Sequence, residues 1–499
     1  MSNQACGQWA VGGAERATAG RELCRINPDL MRVSLHDYRT DPRLAQRDGV
    51  NLAHTELTAL FRRLDSPDLE VDFHDFMRLC TDLGYARSVL AYADCVISNV
   101  GPHAHYYFYL RDKLDLSFRI IRDVRTALWS SYLLQELLCA PYLRGCDTIL
   151  FPSAYARALF KAVYPHLAAG PSAVCYPLAH GFPARRTQTT RSALNRGSIT
   201  LGYIGRLSED KNFPQLIDLL IRLERQHPGR FRLVACGEVY SPSCNPGALA
   251  ERVSRETSRR DAFEYLAPVA HSRVWEIYDR FDVFLFPSTS NIETLGRVLV
   301  EASYCGVPVI AASHAAVPEL LPPKARVPVL YDYNRKLSTH FGQPLGCVDL
   351  RRLVELLEAG DFVENVCFQS YQAHAEMLLD LVSNHKSTAE LASPRLGPEQ
   401  RAFVDRVRVE EIPAPPGRDV ANEIVENLLE WFRDLQTKSA DGRPTRAKEL
   451  LEISRHPART ESFLDKSAKT RGDFTNVGGL DLELCHVVGF YPQFQLAQR

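Results

Sequence analysis

Residues 199–223 read ITLGYIGRLSEDKNFPQLIDLLIRL. Ile199–Ile204, β-prone apart from Gly202, runs into a loop opened by Gly205, and apolar Phe213, Leu216, Ile217 and Leu220 then recur at helical spacing. The stretch is therefore one strand followed by one amphipathic helix. The alternation continues through strands at 231–236 and 263–266, a helix at 273–281, a strand at 283–286, a helix at 294–304 and a strand at 307–311. Helical patterns follow at 350–358 and 422–436. On the N-terminal side the same rhythm gives β-rich runs at 33–35, 95–100, 118–121, 148–151 and 173–178, with amphipathic runs at 52–64, 125–143 and 154–163. Strands alternating with helices build parallel sheets, which predicts an α/β fold of two doubly wound, Rossmann-like domains facing each other across a cleft. The polar run RRTQTTRSALNRG at 185–197 has no apolar pattern and separates the two. The expected division is a flexible extension (1–30), a first domain (31–187), a linker (188–197), a second domain (198–395), a closing helix region (396–440) and a C-terminal tail (441–499).

Composition narrows the function. The 499 residues are 45% hydrophobic and 24% charged, with 59 Lys+Arg against 60 Asp+Glu and a formal charge of −1. No basic excess points to nucleic acid. Thirteen scattered cysteines without a C-x-x-C pair argue against a disulfide framework or a zinc site and for a reducing compartment. No apolar run approaches the roughly 20 residues of a membrane span, and no secretion signal opens the chain. A soluble, cytoplasmic protein is expected. The Leu, Trp and Tyr of 125–143 allow weak peripheral membrane contact, with core packing the preferred reading.

Two stretches carry chemistry. In Gly202–Lys211, Gly205 lets backbone approach a ligand at a strand end, and Arg206 and Lys211 follow as two cations suited to a diphosphate; a solvated basic loop is the alternative. In Pro287–Ala302, a strand ends at Pro287 and the following helix places Leu295, Val298, Leu299 and Ala302 on one face. Its N-terminus, at Thr294, Leu295 and Gly296, would offer free N–H groups to an anion. Glu293 precedes that helix and Glu301 lies two turns inside it, so the two can reach different parts of one ligand. Ordinary capping and surface glutamates are the alternative.

The order G-R-x4-K, a strand ending in Pro-Ser, E-x7-E and then G-V-P-V-I resembles the retaining glycosyltransferases of family 4, which have the GT-B fold. The resemblance covers 199–321 and, more loosely, most of 31–340. It implies transfer of a sugar from a nucleotide diphosphate donor, a UDP- or GDP-sugar, with retention of configuration and no cofactor. It makes 31–187 the acceptor-side domain and 198–395 the nucleotide-sugar domain. It assigns Arg206 and Lys211 to the donor diphosphate, Glu293 to the sugar hydroxyls, Glu301 to the ribose, and the N–H groups of Thr294, Leu295 and Gly296 to the phosphates. Cys236-Gly237-Glu238 resembles the family's stretch after its third C-terminal strand, and Tyr265–Ala270 its base-binding loop. Gly49, within Asp48-Gly49-Val50-Asn51, stands near the family's Gly-rich donor loop with one glycine in place of a pair.

The sequence also departs from the family. The family's acceptor-facing His, commonly followed by an acidic residue, is replaced in Ile120–Arg125 by Arg122 ahead of Asp123. Asp123 could take a proton or orient the acceptor, and Arg122 or Arg125 could hold an anionic group; a structural ion-pair cluster is the equal alternative. His103 and His105, read as loop residues after the strand at 95–100, are further acceptor-side candidates, with simple exposure the commoner fate of loop histidines. Ala315-Ala316 stand where the family has a Gly pair before Pro318-Glu319, and His180-Gly181 where it has Asn-Gly. No D-x-D occurs, so no metal is expected. The acceptor stays open, and a non-catalytic GT-B subunit or scaffold is the rival reading. An epimerase or phosphorylase on the same fold suits E-x7-E less well, and the lack of G-x-G-x-x-G tells against an NAD enzyme.

Overall fold

The β-prone runs of each half lie side by side as a parallel sheet. The computed structural model describes residues 30–37, 49–64, 67–125, 133–165, 167, 170–176, 197–334, 336–337, 343–360, 377–383, 395–409, 415–423, 425–426 and 429. The first half runs β1 (Met31–His36), α1 (Gly49–Arg63), β2 (Leu69–His74), α2 (Phe76–Thr81), α3 (Leu83–Leu90), β3 (Cys95–Ser98), α4 (His105–Lys113), β4 (Arg119–Asp123), α5 (Leu133–Cys139), β5 (Thr148–Phe151), α6 (Ala154–Val163) and β6 (Ser172–Val174). Its sheet order is β2-β1-β3-β4-β5-β6, all parallel. Both faces are apolar, as a parallel sheet covered by helices requires. Val33, Leu35, Ile97 and Ile121 pack on Leu57, Leu60 and Phe61 of α1, while Val96, Ile120 and Phe151 pack on Tyr107, Leu110 and Phe160 from α4 and α6.

The second half runs β7 (Ile199–Ile204), α7 (Phe213–Gln226), β8 (Phe231–Cys236), α8 (Pro246–Thr257), β9 (Phe263–Leu266), α9 (Val274–Tyr278), β10 (Val283–Phe286), α10 (Arg297–Tyr304), β11 (Val309–Ala312), α11 (Val317–Leu320) and β12 (Arg326–Val327). Its order, β12-β11-β10-β7-β8-β9, reverses direction between β7 and β10. A reversal of this kind is a topological switch point, where open parallel sheets bind ligands beyond their C-terminal strand ends. Two doubly wound sheets in one chain are the GT-B architecture.

Several details differ from the sequence reading. The periodicity gives no sign of α4, because the residues from His105 to Arg111 are all buried and show no polar face. His103 and His105 are therefore not exposed loop residues: His103 sits in a 3-10 turn at 4% exposure and His105 opens α4 at 0%. The helix expected at 294–304 begins at Arg297, since Gly296 takes φ 82° and breaks the helical path, which puts Glu301 one turn in. The helix expected at 273–281 is limited to 274–278 after a 3-10 turn. Of 125–143, residues 126–132 lie outside the described residues; Leu137, Leu138 and Cys139 are buried in the first core. Residues 377–383 fall within the expected second domain yet pack on the first sheet, with the Arg119 Nη2 donating to the Leu381 carbonyl at 2.8 Å. Phe403, Ala421, Val425 and Leu429 also join the first core. The extension 1–29, most of the linker, His180-Gly181 and the tail from 430 lie outside the described residues, and no helix among the described residues is long and apolar enough to cross a membrane.

Candidate functional site

The switch point of the second sheet holds the residues that the sequence singles out. The loop after β7 carries Arg206 and Lys211, and the loop after β10 carries Glu293. The Lys211 Nζ donates to the Glu293 Oε2 at 2.5 Å, across 82 residues of sequence, and the Ser288 Oγ donates to the same oxygen at 3.1 Å. Burial alone would raise the Glu293 carboxyl, but Lys211 and Ser288 outweigh it and hold the group below its ordinary value. Glu293 is thus an anion at neutral pH with a cation fixed beside it.

Arg206 is turned differently. Its Nη2 lies 3.3 Å from the Asp210 Oδ2, and its guanidinium stacks over the Tyr240 ring at 4.7 Å. Asp210 also accepts from the Ser208 Oγ at 2.5 Å and the Ser290 Oγ at 2.7 Å. Burial works against this carboxylate, yet the two hydroxyls and the two cations keep its pKa low. Asp210 is therefore a second tie between the loops. Asn212, at φ 56°, supplies a third: its Nδ2 donates to the Pro287 carbonyl at 3.0 Å and the Thr289 Oγ1 at 2.8 Å. His314 braces the same loop, with its Nε2 3.1 Å from the Ser290 carbonyl and its Nδ1 3.1 Å from the Tyr331 hydroxyl. Burial lowers the His314 pKa to about 4, so the ring is neutral. Sequence reasoning missed Asp210 and His314, although both lie inside or beside the motifs; the signal was a carboxylate between Arg206 and Lys211.

Ahead of α10, Leu295 is 3% exposed in the second domain's core, and the Thr294 carbonyl accepts from the Ser153 Oγ of the first domain at 2.8 Å. Among the described residues, the N–H groups of Thr294, Leu295 and Gly296 donate to no protein acceptor, an arrangement that suits an anion. Glu301 does not meet Lys211. It accepts from the His271 Nε2 at 3.1 Å, the Arg297 Nε at 2.9 Å and the Tyr278 hydroxyl at 3.1 Å. Burial opposes its charge, but His271 and Arg297 bring its pKa down to about 2.

On the first domain, Asp123 and Arg125 form a buried pair at 2.6 Å, and the His54 Nδ1 of α1 lies 3.7 Å from Asp123. Burial raises the Asp123 pKa against the pull of Arg125. Burial, then Arg125 and His36, holds the His54 pKa well below its usual value. Arg122 is engaged by Glu136 of α5, with both side chains under 5% exposed. Burial would lower the Arg122 pKa, and Glu136 raises it further than burial takes it down. Arg122 is thus a buried ion-pair partner within its own domain. Gly49 opens α1.

The fold and this site define a two-domain GT-B protein whose paired charged residues gather at the switch point of the second sheet. Residues 184–326 match the family model described as glycosyl transferases group 1, which supports that family for this chain. Among curated relatives, the phosphatidylinositol N-acetylglucosaminyltransferase gpi3 subunit of Schizosaccharomyces pombe is 32% identical over 129 residues, 26% of each chain. The D-inositol 3-phosphate glycosyltransferase of Mycolicibacterium smegmatis is 32% identical over 111 residues, 22% of this chain and 24% of that one. These alignments span about a quarter of the relatives' length. Among solved structures, Anabaena HepE in complex with UDP-glucose superposes with a TM-score of 0.43 at 15% identity, covering 80% of this chain and 99% of that one. Apo OtsA gives a TM-score of 0.46 at 12% identity, covering 75% and 98%.

Proposed function

We propose that the protein is a retaining, metal-independent glycosyltransferase that takes a sugar from a nucleotide diphosphate donor, a UDP- or GDP-sugar. The observation that carries the reading is the Lys211–Glu293 pair at the β7/β10 switch point, beside Arg206 and the N–H groups of 294–296. Arg206, Lys211 and those amides stabilise the departing diphosphate. Glu293 orders the sugar hydroxyls and Glu301 the ribose, with Gly205 and Gly49 giving the phosphates close backbone approach. The acceptor enters from the first domain, near Asp123, Arg125, His103 and His105; Asp123 is the candidate group for orienting it. In a front-face path, the acceptor oxygen bonds the anomeric carbon on the side from which the phosphate oxygen leaves. The acceptor's proton passes to that phosphate oxygen.

A non-catalytic subunit is the second reading, and one observation favours it: Arg206, Lys211 and Arg297 are each paired with a carboxylate of their own chain. Thermal stabilisation and slow donor hydrolysis, measured across UDP-, GDP-, ADP- and dTDP-sugars, separate the two. For the transferase, one donor raises the melting temperature and is hydrolysed. Charge-assisted hydrogen bonds contribute about 1.5–3 kcal/mol each, so Arg206→Ala weakens donor binding by roughly tenfold or more, while Glu293→Ala loses turnover. If no nucleotide sugar binds, the subunit reading replaces it.

A further inference from the structure

Arg297 lies inside E-x7-E, yet nothing in the assignment above uses it. Its Nη1 and Nη2 donate to the Glu56 Oε2 and Oε1 of α1, both at 2.6 Å, across 241 residues of sequence. Its Nε donates to the Glu301 Oε1 at 2.9 Å. One guanidinium therefore grips a carboxylate of the first domain in a two-pronged contact and a carboxylate of the second domain with its remaining nitrogen. The three side chains are nearly dry, at 6%, 11% and 4% exposure for Glu56, Arg297 and Glu301. The planar fork is essential here: a lysine offers one point charge and cannot span both partners.

The acceptor sites of Glu301 are nearly full. Oε1 takes Arg297 and His271, and Oε2 takes Tyr278. A carboxylate has about four lone-pair sites, so room is left on Oε2 for one incoming hydroxyl, in a direction fixed by the other three. On the opposite side of α1, His54 approaches Asp123 at 3.7 Å. Helix α1 thus touches the acceptor-side carboxylate two residues before the one that Arg297 holds.

We infer that Arg297 is a positioning residue that links the closed arrangement of the two domains to the orientation of Glu301 toward the donor ribose. The inference rests on the donor reading above. When Glu56 is in place, the fork holds Arg297, and Arg297 holds the one open lone pair of Glu301 where a ribose diol can reach it. When the domains part, Arg297 loses its anchor and Glu301 its fixed direction, so donor affinity falls while the transfer step, centred on Lys211 and Glu293, keeps its groups.

The test uses the full chain with Glu56→Gln, Arg297→Lys and the double variant, each first shown by its melting curve to be folded at the assay temperature. Glu56→Gln is nearly isosteric and keeps a carbonyl acceptor, so it separates the charge link from packing. Donor KM and kcat are measured with the donor that the wild type accepts, and small-angle scattering gives the radius of gyration without donor. The expected result is a donor KM raised about tenfold or more in either single variant, kcat within about twofold, and a larger radius of gyration. The double variant should be no worse than the poorer single one, as for groups acting through one contact. Wild-type KM in both single variants, or KM effects that multiply in the double variant, overturns the inference alone. Failure of the wild type to bind any nucleotide sugar overturns it together with the donor reading.

Discussion

Gly237 and Gly205 both take φ 151°, in the part of backbone space that side chains avoid, and they face each other at the ends of β8 and β7. A Cβ on Gly237 would lie 1.8 Å from the Gly205 carbonyl oxygen and 2.7 Å from its carbonyl carbon. No rotamer relieves a clash with backbone. Gly237→Ala should therefore cost roughly 3 kcal/mol or more from strain and overpacking together and displace the loop that carries Arg206. The urea midpoint reads the loss directly, and a midpoint equal to wild type would refute it. Ala315 is the contrary case: it takes φ 50° at a position where the resemblance expects Gly, and its methyl is buried in the first core at 2% exposure. At this scale the sequence showed Gly205, Lys211 and Glu293, because a spaced motif marks them. It could not show what each would touch. The partners of Lys211 and Arg297 lie 82 and 241 residues away, and a motif within one stretch says nothing of such distances. The same holds for Arg122, read either as an acceptor-side cation or as part of an ion-pair cluster, whose partner Glu136 belongs to another element.

Among the elements, α6 shows how the domains are joined. Its first N–H groups would be unpaired at the helix start, but the Glu319 carboxylate of the second domain accepts from the amides of Ala154 and Tyr155, each at 2.9 Å. Gln400 donates to it at 2.8 Å and the Tyr176 hydroxyl at 3.2 Å. The carboxylate acts as a helix cap supplied from the other domain, with the charge at the positive end of the helix dipole. Glu319→Gln keeps the size but turns one oxygen into an NH2 that cannot accept from the donors now facing it, and should lower stability by about 1–2 kcal/mol. An unchanged thermal midpoint would show that the cap contributes nothing. The strands that the sequence places at 199–204, 231–236, 263–266 and 283–286 have those bounds in the structure, because each is a short β-prone run between turn signals, buried in β10 and nearly so in β7 and β8, with only Phe263 buried in the edge strand β9. Helices α4 and α8 escaped notice for opposite reasons. The residues from His105 to Arg111 are buried without a polar face, whereas α8 buries only Leu249 and Val253 among its twelve residues. Hydrophobic periodicity needs a contrast that neither supplies.

Over the whole molecule, buried histidines set the response to acid. Burial lowers the pKa of His36, His54, His74 and His314 below the ordinary 6.5, His314 to about 4. Between those limits the unfolded chain takes up protons that the folded chain refuses. Unfolding therefore gains free energy as pH falls through this range, and stability rises with pH. For His314 alone, the span from 6.5 to about 4 amounts to roughly 3 kcal/mol once the pH is below both values. Glu56, Asp123 and Glu319 act in the other direction, because burial raises their pKa values and the folded chain holds their protons longer. Below the ordinary carboxyl range, Glu301, held at about 2, takes over: its contribution is complete above about 4.5 and is lost as pH falls toward 2. Urea midpoints measured at pH 7.5, 6.5, 5.5 and 4.5 should therefore hold between 7.5 and 6.5 and fall below 6.5, as the rings of the unfolded chain take up protons, with Glu56, Asp123 and Glu319 offsetting part of the drop. His314→Gln keeps hydrogen-bonding groups near Ser290 and Tyr331 and removes one titrating ring, so its midpoints should fall less between pH 6.5 and 4.5 than those of the wild type. Parallel profiles for wild type and His314→Gln over that interval would mean that this ring is protonated in the folded state, and the brace that His314 gives to the Glu293 loop would then carry a positive charge beside Lys211.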